Sequence, residues 1–343
     1  MTKYILVTGG LGFIGSHVCV ELINNGYEIV IIDNLCNSKL KVINNIKSLT
    51  NMNNITFYNR DVCDSLDEIF CGFDIYAVIH LAGLKSVSES VKNPVEYYRN
   101  NLESTINLLS AMNKHKCKRL IFSSSATVYG SNIAPLHEDM EIGKGITNPY
   151  GQTKFMIERM LKDQTIADPT FKIISLRYFN PIGAHPSGKL GEDPNDIPNN
   201  LMPYILKVAH KNNVDPYMEG YDELSIFGNT YNTSDGTCLR DYIHVCDLAR
   251  GHLLALQKIN NFDTYEYFNL GQGKGYSVLE IVKCFMSVNK VLLPYSIKDK
   301  RPGDLETVYC DTKKSKSLLE FETKLDINTM CKDAWNFQKK NQT

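Results

Sequence analysis

The chain has 343 residues, 43% of them hydrophobic, which is enough for a substantial core and for two domains of a globular, soluble protein. Its 37 basic and 38 acidic residues leave a formal charge of -1 and no basic tract able to follow a phosphate backbone, which argues against nucleic acid as a partner. No apolar run reaches the roughly eighteen residues of a membrane span, and Tyr4-Ile5-Leu6-Val7 reads as a strand rather than a signal peptide, so no membrane partner and a cytoplasmic location are expected.

In chain order, the strand candidates are Tyr4–Thr8, Glu28–Asp33, Ile55–Tyr58, Ala77–Leu81, Leu120–Ser123 and Lys172–Arg177. Helical patterns at 14–25, 39–48, 94–115 and 149–167 fall between them. Six rounds of strand then helix predict an α/β fold, a doubly wound parallel sheet of Rossmann type, over residues 1–180. From Pro181 to Pro198 the spacing predicts a loop rich in proline, glycine and acid. A helix over 199–211, a polar stretch over 212–224, a strand over 225–228 and a mixture of short elements then form a smaller α/β substrate domain (181–343). Tyr242–Leu256 reads as a helix and Glu266–Leu270 as a strand, and segment 238–270 is expected to return to the first sheet, so that the two domains interleave.

Five places along this frame carry chemistry. After the first strand comes Gly9-x-x-Gly12-x-x-Gly15, with Phe13 and Ile14 inside it, leading into a helix. Glycines there let the backbone turn tightly and approach a pyrophosphate held by helix N-terminal amides. Asp33 ends the second strand eighteen residues beyond Gly15, where a carboxylate accepts from ribose hydroxyls and repels a 2′-phosphate, so NAD is expected in preference to NADP. Asn34, Asn37 and Ser38 follow it; Asp61-Val62 after the third strand faces the expected adenine path. Leu81-Ala82-Gly83 and Lys85 end the fourth strand where small residues permit close approach. Without that context, a glycine turn, a capping aspartate or a solvated lysine would be the ordinary reading of each.

The remaining place is Tyr150-x-x-x-Lys154. On a helix the two side chains share a face, and a nearby cation stabilises a phenolate, so the pair could act as a base. The spacing alone is common on surface helices. The ten cysteines are scattered with no Cys-x-x-Cys pair or cysteine-histidine cluster, which predicts reduced thiols and no metal site.

Joined to Ser123-Ser124-Ser125-Ala126-Thr127, these motifs resemble the extended short-chain dehydrogenases/reductases. Arg177-Tyr178-Phe179-Asn180-Pro181, His185-Pro186-Ser187-Gly188, Ile197-Pro198-Asn199-Asn200-Leu201 and Leu239-Arg240-Asp241-Tyr242 further resemble the UDP-glucose 4-epimerase family, in order along nearly the whole chain. The resemblance implies NAD-dependent inversion at C4 of a UDP-hexose in galactose metabolism. Tyr150 is then the base, Lys154 the residue that holds the nicotinamide ribose and lowers the tyrosine pKa, and Ser125 the donor to the reacting oxygen, with Thr127 a helper. Asn100 and Phe179 join the cofactor set. Lys85, Asn180, Asn200, Leu201, Ser225, Phe227, Arg240, Arg301 and Asp304 hold the UDP-sugar, which fixes one end of an intermediate that must turn. The family places a gatekeeper at Val308, where a small residue implies that UDP-N-acetylglucosamine and UDP-N-acetylgalactosamine are also accepted. A homodimer through helices 94–115 and 149–167 is implied too.

Two other readings stand beside this one. A 4,6-dehydratase or decarboxylase of the same superfamily usually carries an acidic pair where this chain has Ala126-Thr127. A non-catalytic NAD-sensing protein typically lacks the tyrosine or lysine that this chain keeps.

Overall fold

The computed structural model describes residues 3–52, 55–195, 200–301 and 303–341. The first part of the expected helix 199–211 and of the Ile197-Pro198-Asn199 motif therefore lies outside the described residues. In chain order the first half runs β1 (Tyr4–Thr8), α1 (Phe13–Asn24), β2 (Glu28–Asp33), α2 (Lys41–Thr50), β3 (Thr56–Asn59), α3 (Asp67–Gly72), β4 (Ile75–His80), α4 (Val87–Lys92), α5 (Pro94–Lys114), β5 (Arg119–Ser125), α6 (Pro149–Ala167) and β6 (Lys172–Tyr178). The second half runs β7 (Asn180–Ile182), α7 (Leu201–Asn213), β8 (Leu224–Phe227), β9 (Leu239–His244), α8 (Val245–Lys258), β10 (Tyr265–Leu270), β11 (Gly275–Ser277), α9 (Val278–Asn289), β12 (Tyr295–Lys298), β13 (Thr307–Val308), α10 (Lys313–Leu319) and α11 (Ile327–Lys340).

Seven strands form one parallel sheet in the order β10-β6-β5-β4-β1-β2-β3. Its central strands β1, β2 and β4 are largely apolar because both faces are covered. Ile5, Val7, Ile29, Ile31, Ala77 and Ile79 point into one core with α1, α2 and α8, while Leu6, Val30, Ile32, Val78 and Phe122 point into the opposite core with α3, α5 and α6. The alternation is the two-residue period of a pleated strand. Order reverses between β4 and β1, which opens a crevice at the carboxyl ends of those strands.

A seventh strand, β10, follows the six expected ones and pairs with β6 from Tyr265↔Ile173 to Leu270↔Tyr178. The second half also builds a four-stranded sheet in which β9 pairs with β11, β13 and β7, and a two-stranded one from β8 and β12. A third core, with Ile205, Leu206, Phe285, Met330 and Trp335, joins α7, α9 and α11.

Several expectations change. Tyr242–Leu256 is not one helix: Tyr242, Ile243 and His244 belong to β9, where they pair with Asn180–Ile182, and the helix starts at Val245. His244 makes the boundary, its ring nitrogen accepting the Cys246 amide at 3.0 Å as an N-cap. The expected loop from Pro181 begins as β7 and closes further on by the bridge Ala184↔Gly191. Asn212 and Asn213 lie inside α7, so the surface loop is shorter than the polar composition indicates. The short helices α3 and α4 were not expected, and α9 and α11 are full helices of 12 and 14 residues rather than short elements.

Candidate active site

A single cavity of about 540 Å³ runs along the carboxyl edge of the large sheet from the β1–α1 turn to β13. At one end lies the glycine loop. Gly9 has φ +68°, and a Cβ there would sit 2.8 Å from the Ala82 amide nitrogen; a Cβ on Gly15 would sit 2.1 Å from the Gly9 carbonyl. Both glycines are required by the turn itself. Gly12 differs, since a Cβ there would meet only the Gly9 oxygen within 4 Å, at 3.4 Å, and would otherwise project into the open cavity. The N-terminus of α1 carries no side-chain cap. Its amides and helix dipole thus face the cavity, which is the arrangement an anion takes at a helix start.

Asp33 is buried at the end of β2. Its Oδ2 accepts the Leu11 amide at 3.0 Å, and its Oδ1 accepts the Leu35 amide at 2.9 Å and the Ser38 hydroxyl at 2.7 Å. The carboxylate therefore ties the glycine loop to the loop after β2 and retains capacity for a further donor. Asn34 donates to Asp61 Oδ2 at 2.7 Å, closing this end of the cavity beside Val62. Asn37, Phe13, Ile14, Leu81, Gly83, Asn100 and Phe179 also line the same space.

The reacting groups are expected at the middle of the cavity. Pro149 starts α6 and Asn148 caps it by accepting the Gly151 amide at 2.8 Å, so Tyr150 sits in the first turn. Tyr150 stands beside Ser125, whose Oγ accepts the Thr127 hydroxyl at 2.9 Å and the Thr127 amide at 3.2 Å. Lys154 Nζ donates to the Ser123 carbonyl at 2.7 Å and stands 5.9 Å from the Tyr150 ring centroid.

Burial raises the Tyr150 phenol above its ordinary value, and what opposes the rise is the Ser125 hydrogen bond rather than Lys154. The same burial lowers the Lys154 ammonium to about 8, with the Glu158 carboxylate pulling the other way.

The far end of the cavity collects Asn180, Asn200, Leu201, Arg240, Asp304 and Val308. Arg240 Nη1 donates to the Leu239 carbonyl at 2.8 Å, and its Nη2 lies 4.0 Å from Asp304. Arg301 donates to Asp304 at 2.8 Å and covers the Phe227 ring at 5.0 Å from its centroid. Arg301, Ser225 and Phe227 fall outside the cavity lining, because β8 pairs with β12 at the rim and Phe227 lies under Arg301.

Sequence reasoning passed over two residues that shape this space. Asn101, buried on α5, accepts the Leu84 amide at 2.8 Å and donates to the Leu84 carbonyl at 3.0 Å and to Thr153 at 3.0 Å, pinning the Ala82–Lys85 loop to α6. Set among Arg99, Asn100, Glu103, Ser104 and Thr105 on α5, it carries no local signal that marks it out. Glu192 Oε1 accepts both Lys85 and Asn200 at 2.9 Å, crossing the cavity between the two halves of the chain. The neighbouring Asp193 pairs with Lys39, and Asn195 donates to Asn37 and Cys36.

Fold and site together define a nucleotide-binding enzyme of the Rossmann class. The chain belongs to the NAD dependent epimerase/dehydratase family, whose profile matches residues 5–271. It is 51% identical over 340 residues to the UDP-glucose 4-epimerase of Bacillus subtilis, covering 98% of this chain and 97% of that one. Among solved structures, the UDP-glucose 4-epimerase of Bifidobacterium longum in complex with NAD+ and UDP matches with TM-score 0.92 and 44% identity, over 98% of each chain. The UDP-Glc/GlcNAc 4-epimerase of Campylobacter jejuni matches with TM-score 0.82 and 32% identity, over 99% of this chain and 100% of that one.

NAD is the cofactor, and the glycine loop fits its pyrophosphate at Gly12. A Gly12→Ala protein is expected to melt at the same temperature as the parent but to bind NADH at least about tenfold more weakly in a fluorescence titration, since a Cβ enters the pyrophosphate space. Gly15→Ala should instead lower the melting temperature, because its Cβ strikes the protein's own backbone.

Proposed function

We infer that this chain catalyses reversible NAD-dependent epimerisation at C4 of UDP-glucose and UDP-galactose through a 4-keto intermediate. The observation that carries it is the continuity of one cavity, with the glycine loop and Asp33 at one end, Ser125, Tyr150 and Lys154 midway, and Arg240 with Asn200 at the other. Such a cavity takes a dinucleotide and a second nucleotide end to end, with a hexose between them. When bound, NAD+ supplies the acceptor for the C4 hydride and a positive charge that favours the Tyr150 phenolate.

Tyr150 removes the proton from the 4-hydroxyl and returns it after the ketose has turned. Ser125 donates to the reacting oxygen, and Thr127 fixes the Ser125 hydroxyl. Lys154, tied to Ser123, brings its ammonium to the ribose side of the tyrosine. Arg240, Asn180 and Asn200 grip the diphosphate and uridine, with Arg301 paired to Asp304 outside the lining, so that only the sugar is free to rotate. We treat residues 1–180 with 238–270 as the dinucleotide-binding domain and the rest as the sugar-nucleotide domain. The ten free cysteines fit a reducing compartment, the cytoplasm.

The purified protein should convert UDP-galactose to UDP-glucose with no change in mass, which separates epimerisation from dehydration or decarboxylation. In Tyr150→Phe the rate should fall about 10²- to 10⁴-fold while NAD stays bound; full activity in that variant would remove Tyr150 from the mechanism.

The substrate range extends, in this reading, to the N-acetylated pair. Val308 lies on β13 opposite Arg240, lines the cavity and packs on the cluster of Val128, Tyr129, Leu136 and Phe179. A residue of that size leaves space beside C2 of the sugar. UDP-N-acetylglucosamine should be turned over, and Val308→Tyr should keep hexose activity while losing at least about tenfold on the N-acetyl substrate. No turnover at concentrations that saturate with UDP-glucose refutes the extension.

A homodimer through α5 and α6 completes the proposal. Val91 of α4, Val95 and Ile106 of α5 and Met156 of α6 are exposed at 60%, 71%, 52% and 40%, an apolar face that a second copy would cover. Of the stripe Leu102, Ile106 and Leu109, only Leu109 is fully buried in the chain's own core. Native mass spectrometry should give about twice 38.9 kDa, and a monomer under those conditions rejects the pairing.

A further inference from the structure

Behind the reacting groups lies a buried ion pair to which the proposed reaction assigns nothing. Glu158 stands one turn beyond Lys154 on α6, so Tyr150, Lys154 and Glu158 follow one another along a single helix face. The side chains of Glu158 and Arg177 are only 3% and 2% exposed. Glu158 Oε1 accepts Arg177 Nε at 3.0 Å and the Ser124 hydroxyl at 2.5 Å, and Oε2 accepts Arg177 Nη2 at 2.7 Å. Arg177 Nη1 donates to the Tyr129 hydroxyl at 3.0 Å, which in turn donates to Asn269 at 2.7 Å. The Tyr129 and Tyr267 rings flank the guanidinium at 5.0 and 4.4 Å.

One carboxylate therefore joins α6 to β5, β6 and, through Tyr129, β10. Stability alone does not call for a charged pair here, since well-packed apolar residues of similar volume hold a core as well or better. What the bidentate pair adds is fixed orientation. Its partner on β5 is adjacent to working groups: Ser124 lies between Ser125 and Ser123, the carbonyl of the latter holding Lys154.

We propose that Glu158, held by Arg177, is a positioning residue that fixes β5 against the first turns of α6, so that Ser125 Oγ and Tyr150 OH reach the same substrate oxygen. It rests on the epimerase reading. Glu158 is also the carboxylate facing Lys154; the other groups packed on that ammonium are Tyr150 of α6, His80 of β4, and the Phe122 ring and Ser123 carbonyl of β5. Burial keeps His80 neutral, so it offers Lys154 no competing charge. On its other side Glu158 faces Arg177, Ser124 and Tyr265 of β10.

The test assays parent, Glu158→Gln and Ser124→Ala, all loaded with NAD, with UDP-galactose from neutral to alkaline pH. Glu158→Gln keeps the shape and loses the charge. Its kcat should fall about tenfold with KM changed less than about twofold, and its alkaline limb should move about one unit to lower pH as Lys154 loses its carboxylate. Ser124→Ala leaves the ion pair whole, melts like the parent, and should lose about threefold in kcat with KM and the alkaline limb unchanged. A Glu158→Gln protein altered only in melting temperature overturns the proposal. Should that variant fail to fold, Ser124→Ala decides, and a parental kcat there overturns it as well. A parent that does not turn over UDP-galactose condemns the reaction instead, an outcome distinct from both.

Discussion

Because all seven strands of the large sheet run in one direction, each delivers its carboxyl end to the same edge, and the chain leaves every strand on the side where a ligand can be met. Every working part depends on this constraint. β1 releases the glycine loop there, β2 ends in Asp33, β4 in the Ala82–Lys85 turn, and β5 in Ser125. The sheet order reverses between β1 and β4, so the loops on either side part and leave room for a dinucleotide. Tyr150 and Lys154 reach the same edge from the helix after β5.

The second half is tied back to that edge by buried polar groups. Asp241 on β9 accepts the amides of Gln272 at 2.7 Å, Gly273 at 2.9 Å and Cys310 at 3.3 Å, fastening the turns after β10 and β13 to the strand that carries Arg240. Burial lifts its carboxyl to about 6, and the three amides offset part of that cost. Since β10 belongs to the large sheet, this one side chain couples that sheet to the four-stranded sheet of the second half. Glu192, with Lys85 and Asn200, makes the same link across the mouth of the cavity. A reaction in which the sugar must turn while both nucleotides stay put needs such rigid links.

Electrostatics at the centre follow from burial more than from pairing. Tyr150 and Lys154 are both pushed toward their neutral forms by loss of water, opposed by Ser125 for one and by Glu158 for the other, while Lys154 donates to the Ser123 carbonyl. Spacing on a helix brings a phenol and an ammonium to one face. The ammonium also takes a good acceptor nearby, and here that is a backbone carbonyl of β5.

Local signals in the sequence determined the parallel sheet, the glycine loop, the acid after the second strand and the Tyr150 to Lys154 pair, since each is written in neighbouring residues with a fixed period or turn. The boundaries of α3 and α4 were not legible because helices of six residues carry too little periodicity. Tyr242–His244 read as helix until β7 supplied a pairing strand, a contact from 62 residues away at Asn180↔Tyr242. Which arginine lines the cavity, which residues of the α5 stripe face outward, and the network of Ser124, Glu158 and Arg177 were settled only by tertiary structure. Those properties belong to pairs of residues far apart in the chain, and burial, which sets both charge and partner, exists only once the chain has folded.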